Sequence, residues 1–183
     1  APSVIAVAGE SGSGKTTLIR LIGSLLKPTA GSIHINGHDI LRPSKQARTG
    51  VGMVFQDPDS QIVGETVKED AAFGPENMGL PIEEVTKRVD WALGVMGLRN
   101  LSEKPCYLLS GGEKRRLAIA GVLAMRPRVI LFDEPFSFLD YPGIQEVLKH
   151  MIHLNREGHT LVVTTHDVEK VIAHVNRIAI IHG

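Results

Sequence analysis

The sequence predicts an α/β fold of three layers, with a mainly parallel sheet flanked by helices, a small antiparallel portion and a helical insertion. Three observations carry this prediction. Short β-branched runs at residues 4–8, 51–55, 129–132, 160–164 and 177–181 are apolar at both alternating positions, the pattern of a parallel strand covered on both faces. Helical periodicity falls between several of these runs, as in Ile144, Val147, Leu148, Met151 and Ile152. From Asp57 to about Ala120 strand signals give way to helical ones. There Val85, Val89, Ala92, Leu93 and Met96 repeat at helical spacing, after a helix-start signal at Pro81.

Taken in order, the run 4–8 leads into Gly9-Glu10-Ser11-Gly12-Ser13-Gly14-Lys15-Thr16 and then into a helical stretch over 18–26. Residues 32–35 followed by Asn36-Gly37 read as a hairpin strand and turn, the antiparallel portion. The strand 51–55 ends at Gln56, and the insertion follows it. Its last helix, over 114–125, is introduced by Leu109-Ser110-Gly111-Gly112-Glu113. The strand 129–132 ends in Asp133 and Glu134, and the strand 160–164 is followed by His166. The expected division is one domain over 1–183, with a core of 1–56 and 121–183 and a helical subdomain of 57–120.

Composition narrows the partners. A chain of 183 residues suits one domain with a substantial core. Twenty basic residues balance twenty acidic ones, so no global field draws the chain to nucleic acid. The single cysteine, Cys106, has no internal disulfide partner and reads as packing. No apolar run approaches the ~18 residues of a membrane span, so any span is expected from a partner. The strand pattern begins almost at once, and the chain is expected to be a piece lacking N-terminal strands.

The loop at Gly9 matches GxxxxGK[ST] in full and stands between a strand and a helix. Glycines there allow backbone N–H groups to converge on phosphate oxygens, the helix N-terminus adds a positive dipole, and Lys15 reaches the β and γ phosphates. Thr16 is placed to ligate Mg²⁺. The phosphate-binding set is therefore Gly9, Glu10, Ser11, Gly12, Ser13, Gly14, Lys15, Thr16 and Thr17. Asp133 and Glu134 close an apolar strand and so fall at the carboxyl edge of the sheet, where α/β folds bind ligands. Asp133 is expected in the Mg²⁺ shell, and Glu134 to polarise an attacking water. These motifs describe a P-loop nucleotide hydrolase, a class that includes kinases, helicases and GTPases.

Ser110, Gly111 and Gly112 present a second hydroxyl-plus-glycine cradle at a helix N-terminus. One ATP does not need two cradles. The economical arrangement is a head-to-tail dimer in which Ser110 and Gly112 of one copy close over the γ-phosphate held by Lys15 of the other.

With these three motifs in that order, the sequence resembles the ABC ATPase family over essentially its whole length. The resemblance implies further roles. Gln56 is similar to the glutamine that senses Mg²⁺ and the membrane partner, His166 to the switch histidine that contacts the γ-phosphate, and Asp140 to the aspartate that couples two sites. The catalytic set is then Glu134, His166, Lys15 and Gln56, the metal set Thr16, Gln56 and Asp133, and Ser110, Gly111, Gly112 and Asp140 extend the nucleotide contacts.

Residues 55–61, 66–67, 72–77 and 79–80 look like the energy-coupling-factor subfamily, including cobalt and nickel uptake ATPases. That resemblance implies ATP and Mg²⁺ as cofactors and a second ABC ATPase subunit, identical or not, as partner. It also implies transmembrane transporter subunits, with a helix of one docked beside Gln56 and the insertion. The location implied is the cytoplasmic face of the cell membrane, and the cargo is cobalt, nickel or a vitamin. His150 and His153, one turn apart, are read as surface histidines. An alternative is a non-transport ABC ATPase acting on DNA or ribosomes, against which stand the short spacing from Lys15 to Ser110 and the neutral charge. A third reading, a nucleotide-binding module without hydrolysis, conflicts with intact Glu134 and His166. Phe136 and Phe138 stand where smaller residues are common in the family.

Overall fold

In the computed structural model the described residues are 2–35, 37–39 and 50–182, so Asn36 of the expected turn lies outside them. Contacts divide the chain into two compact units, 1–56 with 127–183, and 57–126.

The first unit is built on five parallel strands: β1 (Val4–Ala8), β4 (Val51–Val54), β5 (Val129–Phe132), β6 (Thr160–Thr165) and β7 (Arg177–Ile180). Their order is β4-β5-β6-β1-β7, and a separate antiparallel pair joins β2 (His34–Ile35) to β3 (His38–Asp39). On the interior strand β5, Ile130, Leu131 and Phe132 are fully buried on alternating faces, which is why the run carries no polar residue. Beneath it, α1 (Lys15–Ile22) lays Ile19 against Val7, Leu131 and Val162.

Two expectations need correction here. The first is that residues 177–181 form a buried strand. β7 is instead an edge strand, exposed along its length, because apolar alternation does not say where in a sheet a strand lies. The second is that the first helix runs over 18–26, whereas it stops at Ile22. Gly23 caps it and Ser24 turns to φ 59°, so the Leu25 N–H returns to the Arg20 carbonyl and Leu25 and Leu26 face outward. A further helix, α5 (Tyr141–Arg156), buries Val147, Leu148, Met151 and Leu154. On it His153 is exposed, but the His150 side chain is mostly covered and lies 3.9 Å from Glu146.

The second unit packs α2 (Val67–Asn77), α3 (Ile82–Val95) and α4 (Gly111–Ala124). It extends past residue 120 because α4 continues unbroken to Ala124 and its chain turns only at Arg126, φ 55°. α4 is the core helix, with Leu117, Ile119, Ala120, Leu123 and Ala124 almost wholly buried. Where α2 meets the C-terminal end of α4, a Cβ on Gly74 would lie 2.7 Å from Cγ of Met125, the C-cap residue. Thr66 and Glu69 make a capping box at the start of α2.

Asp70, one turn later, is buried, and its Oδ1 accepts from Val63 N (2.8 Å) and Gly64 N (3.0 Å). Burial holds its carboxyl above the usual range, and the two N–H donors partly oppose that. The nearby Cys106 thiol is pushed up to about 11, by burial first and then by the charges of Asp70 and Glu69. At pH 7.4 its thiolate fraction is on the order of 10⁻⁴, so alkylation of native protein by iodoacetamide is expected to be slow and to quicken on unfolding. Mass spectrometry with and without urea checks this, and rapid native labelling would contradict the buried placement.

Candidate functional site

The loop from Gly9 to Gly14 turns the chain from β1 into α1, and its conformation explains its glycines. Gly12 and Gly14 stand at φ 83° and 95°, the left-handed region. A Cβ on Gly9 would meet the Ile181 carbonyl oxygen at 2.5 Å and Ser13 Oγ at 2.6 Å. Around Gly12 and Gly14 a Cβ would meet nothing within 4 Å, so the loop is open where backbone N–H groups can receive an anion. Ser13 Oγ is buried without a hydrogen-bond partner. An orphaned hydroxyl inside this loop fits a site shaped for phosphate oxygens.

Lys15 is 4% exposed. Its Nζ donates to the carbonyls of Gly9 (2.9 Å) and Glu10 (2.8 Å) and lies 3.7 Å from Glu134 Oε1. The ammonium is thus held over its own loop, beside the carboxylate expected to act on water. Thr16, the next residue, donates from Oγ1 to Asp133 Oδ1 at 3.1 Å. A hydroxyl and one carboxylate form a donor set suited to Mg²⁺, which keeps several waters and needs few protein ligands.

One residue that sequence reasoning missed ties the two acids together. Thr164, on β6, is wholly buried, and its Oγ1 lies 2.9 Å from Asp133 Oδ1 as donor and accepts from Glu134 N at 2.9 Å. The parallel register that pairs Phe132 with Val163 brings the hydroxyl to the point where β5 ends. Its only signal in sequence is a threonine near the carboxyl end of a strand otherwise apolar.

Glu134 itself stands at φ 44°, a left-handed position that costs a non-glycine residue about 1–2 kcal/mol. What holds it there is visible. Its N–H is taken by Thr164, and its Oε2 meets Ser137 Oγ (3.1 Å) and His166 Nδ1 (2.8 Å). His166, half exposed after β6, therefore orients the carboxylate rather than standing alone. Gln56 follows β4 at the same edge of the sheet, two residues beyond Val54, whose carbonyl accepts from Asp133 N at 3.0 Å. Asp140 caps α5, its Oδ1 accepting from Gly143 N at 3.0 Å. Between them, Phe136 is buried and Phe138 is exposed.

In the other unit, Ser110 is the N-cap of α4 within a second capping box. Glu113 N donates to Ser110 Oγ (3.3 Å), and Ser110 N donates to Glu113 Oε2 (2.8 Å). That backbone donor, assisted by Lys104, holds the Glu113 carboxyl below its usual range. Because Ser110 Oγ serves the cap as an acceptor, its own O–H proton stays available to a ligand oxygen. A Cβ on Gly111 or Gly112 would meet nothing within 4 Å, so the helix N-terminus is bare. The structure thus gathers Lys15, Thr16, Asp133, Glu134 and His166 in one unit and places the Ser110 to Gly112 cradle in the other.

Comparison with known proteins agrees with this architecture. A family model described as ABC transporter matches residues 1–137. The chain is 44% identical over 182 residues to the energy-coupling factor transporter ATP-binding protein EcfA of Methanocaldococcus jannaschii, covering 98% of this chain and 65% of that protein. It thus spans just under two thirds of that relative's length. It is 43% identical to a putative ABC transporter ATP-binding protein of Pyrococcus horikoshii, over 97% of this chain and 68% of the other. Among solved structures, cbiO1 of Clostridium perfringens, part of the ABC transporter complex cbiONQ, superimposes with a TM-score of 0.88 at 39% identity, covering 98% of this chain and 73% of that one. The matched region takes in the phosphate loop, the glycine cradle of α4 and the acids that close β5, and on that footing the chain belongs to the ABC transporter family, among its ATP-binding proteins.

Proposed function

We propose that this chain is the ATP-hydrolysing part of a membrane transporter of the energy-coupling-factor type, driving uptake of cobalt, nickel or a vitamin. The observation that carries the reading is the grouping at the end of β5. Thr16 and Asp133 share a hydrogen bond of 3.1 Å, while His166, 2.8 Å from Glu134, aims that carboxylate beside Lys15. In this reading the loop from Gly9 to Thr17 holds the phosphates, and Lys15 exchanges the Gly9 and Glu10 carbonyls for phosphate oxygens. Glu134 orients a water in line with the γ-phosphate. Thr16 and Asp133, with Gln56 at the same edge, would hold Mg²⁺. Bound there, the ion would offset charge on the phosphates.

The paired cradles make the working unit two chains. Ser110 and Gly112 of one chain close over the γ-phosphate on the other, the bare α4 N-terminus supplying N–H donors and Ser110 its hydroxyl proton. For the transmembrane partner, a cavity of about 570 Å³ in the second unit is lined by Ile62, Gly64, Thr66, Pro105, Cys106 and Tyr107. Tyr107 is 79% exposed at its rim, an amphipathic anchor of the kind that receives a docked helix. No helix among the described residues is long and apolar enough to cross a membrane. In this reading the transmembrane partner supplies the span and the chain works at the cytoplasmic face.

Sedimentation of the full chain carrying Glu134→Gln tests the paired unit. A monomer without nucleotide and a dimer with ATP and Mg²⁺ are expected. A chain that binds ATP yet stays monomeric at tens of micromolar would sink the paired-chain reading.

A further inference from the structure

The carboxyl end of β6 carries two threonines in succession, and their hydroxyls serve different ends. Thr165 closes its own turn, its Oγ1 donating to the Asp167 carbonyl and accepting from Asp167 N, both at 3.0 Å. Thr164 serves no neighbour in sequence. Its Oγ1 lies as donor 2.9 Å from Asp133 Oδ1 and 3.3 Å from the Phe132 carbonyl, and it accepts from Glu134 N at 2.9 Å, all partners at the end of β5. Valine has the same branched shape and suits a buried strand at least as well, whereas a buried hydroxyl is unfavourable unless it is bonded. At a position 0% exposed that follows Leu161, Val162 and Val163, the hydroxyl therefore answers to the end of β5 and not to the packing of β6.

Its two shorter bonds fall on consecutive acids. Asp133 Oδ1 receives Thr164 at 2.9 Å and Thr16 at 3.1 Å, and two hydroxyls on one oxygen fix the rotation of that carboxylate. At Glu134 the restraints divide. Ser137 and His166 hold the carboxylate, while Thr164 takes the N–H of a backbone standing at φ 44°, where a residue other than glycine needs support from its surroundings. We propose that Thr164 is a positioning residue for hydrolysis, one hydroxyl setting both the acid expected at Mg²⁺ and the backbone beneath the acid expected at the attacking water. The proposal rests on the ATP-hydrolysing reading of this site and adds to it a side chain too deeply buried to meet nucleotide, which acts through Asp133 and Glu134. The hydroxyl gives no hydrogen bond to the loop from Gly9 to Gly14, so its removal should spare phosphate binding in the absence of metal.

The test compares the full chain with Thr164→Val, which keeps the shape and loses the hydroxyl, and with Thr164→Ser, which keeps the hydroxyl. ATP affinity is measured by equilibrium dialysis in EDTA and again in saturating Mg²⁺, and steady-state turnover is measured with Mg²⁺. For Thr164→Val, affinity in EDTA is expected to stay within about twofold of the parent, the gain in affinity on adding Mg²⁺ to shrink about fivefold, and kcat to fall about tenfold, the range for one hydrogen bond to a charged group. Thr164→Ser is expected to recover both to within about threefold. Parental behaviour of Thr164→Val in either the Mg²⁺ gain or kcat would overturn the proposal. An equal loss of affinity in EDTA and in Mg²⁺ would overturn it too, since that is the mark of a packing residue. Should Thr164→Val not fold, Thr164→Cys, with its weak S–H donor, is read in its place by the same criteria. If the parent itself gains no ATP affinity from Mg²⁺ or shows no turnover, it is the hydrolytic reading of the site that fails, and the proposal falls with it.

Discussion

Glu134→Gln is expected to leave ATP binding intact and to lower turnover by about 10² or more, the range for loss of a positioned general base. The substitution is nearly isosteric, and an amide oxygen still accepts from Ser137 Oγ and from His166, which now hold Glu134 Oε2 at 3.1 and 2.8 Å. The left-handed backbone at φ 44° imposes a similar cost on either residue. What changes is the charge. An amide neither polarises a water as strongly nor takes up its proton, so the step that needs a base slows while the pocket keeps its shape. Removing an anion 3.7 Å from the Lys15 ammonium also leaves more of that cation for phosphate, so affinity is expected to hold or tighten. Steady-state phosphate release beside equilibrium nucleotide titration separates the two effects. Full turnover would remove Glu134 from the role, and a parallel fall in affinity would show that the carboxylate shapes the loop.

The difference between what the sequence foretold and what the structure adds follows from the range of each signal. The phosphate loop was legible because its demands are local. Gly12 and Gly14 occupy left-handed turns, and Lys15 and Thr16 follow at the offset set by the first helical turn. Asp133 and Glu134 were legible because an apolar run that ends in acids places them at a sheet edge. Thr164 was not, since in sequence it is one more β-branched residue of a strand. Its hydroxyl joins the acids only through the register of β6 against β5, a contact across about thirty residues. The same limit explains β7: its composition suits an interior strand, but its exposure follows from a sheet order that no local pattern records. Asp70 drew no reading from the sequence, since only the fold makes it the buried acceptor for Val63 and Gly64.

The second large effect is expected from Lys15→Met, which should lower ATP affinity by about 10- to 100-fold and leave the fold's stability within about 1 kcal/mol. A hydrogen bond to a charged group is worth about 1.5–3 kcal/mol net, which converts to that range in a dissociation constant. Methionine nearly matches the length and apolar stem of lysine, so the space filled by a side chain 4% exposed stays filled. The ammonium now rests on the carbonyls of Gly9, a half-buried residue, and Glu10, an exposed one. Its loss deprives Glu134 of a cation at 3.7 Å, a small penalty set against relief from desolvating a buried charge. Calorimetric titration with ATP and thermal melting of the same sample read the two quantities together. A large drop in melting temperature would mean that Lys15 is chiefly a structural clamp for the loop. An affinity within threefold of the parent would mean that it keeps to the loop carbonyls when nucleotide binds, and the phosphate would then depend on the backbone N–H groups and the orphaned Ser13 hydroxyl alone.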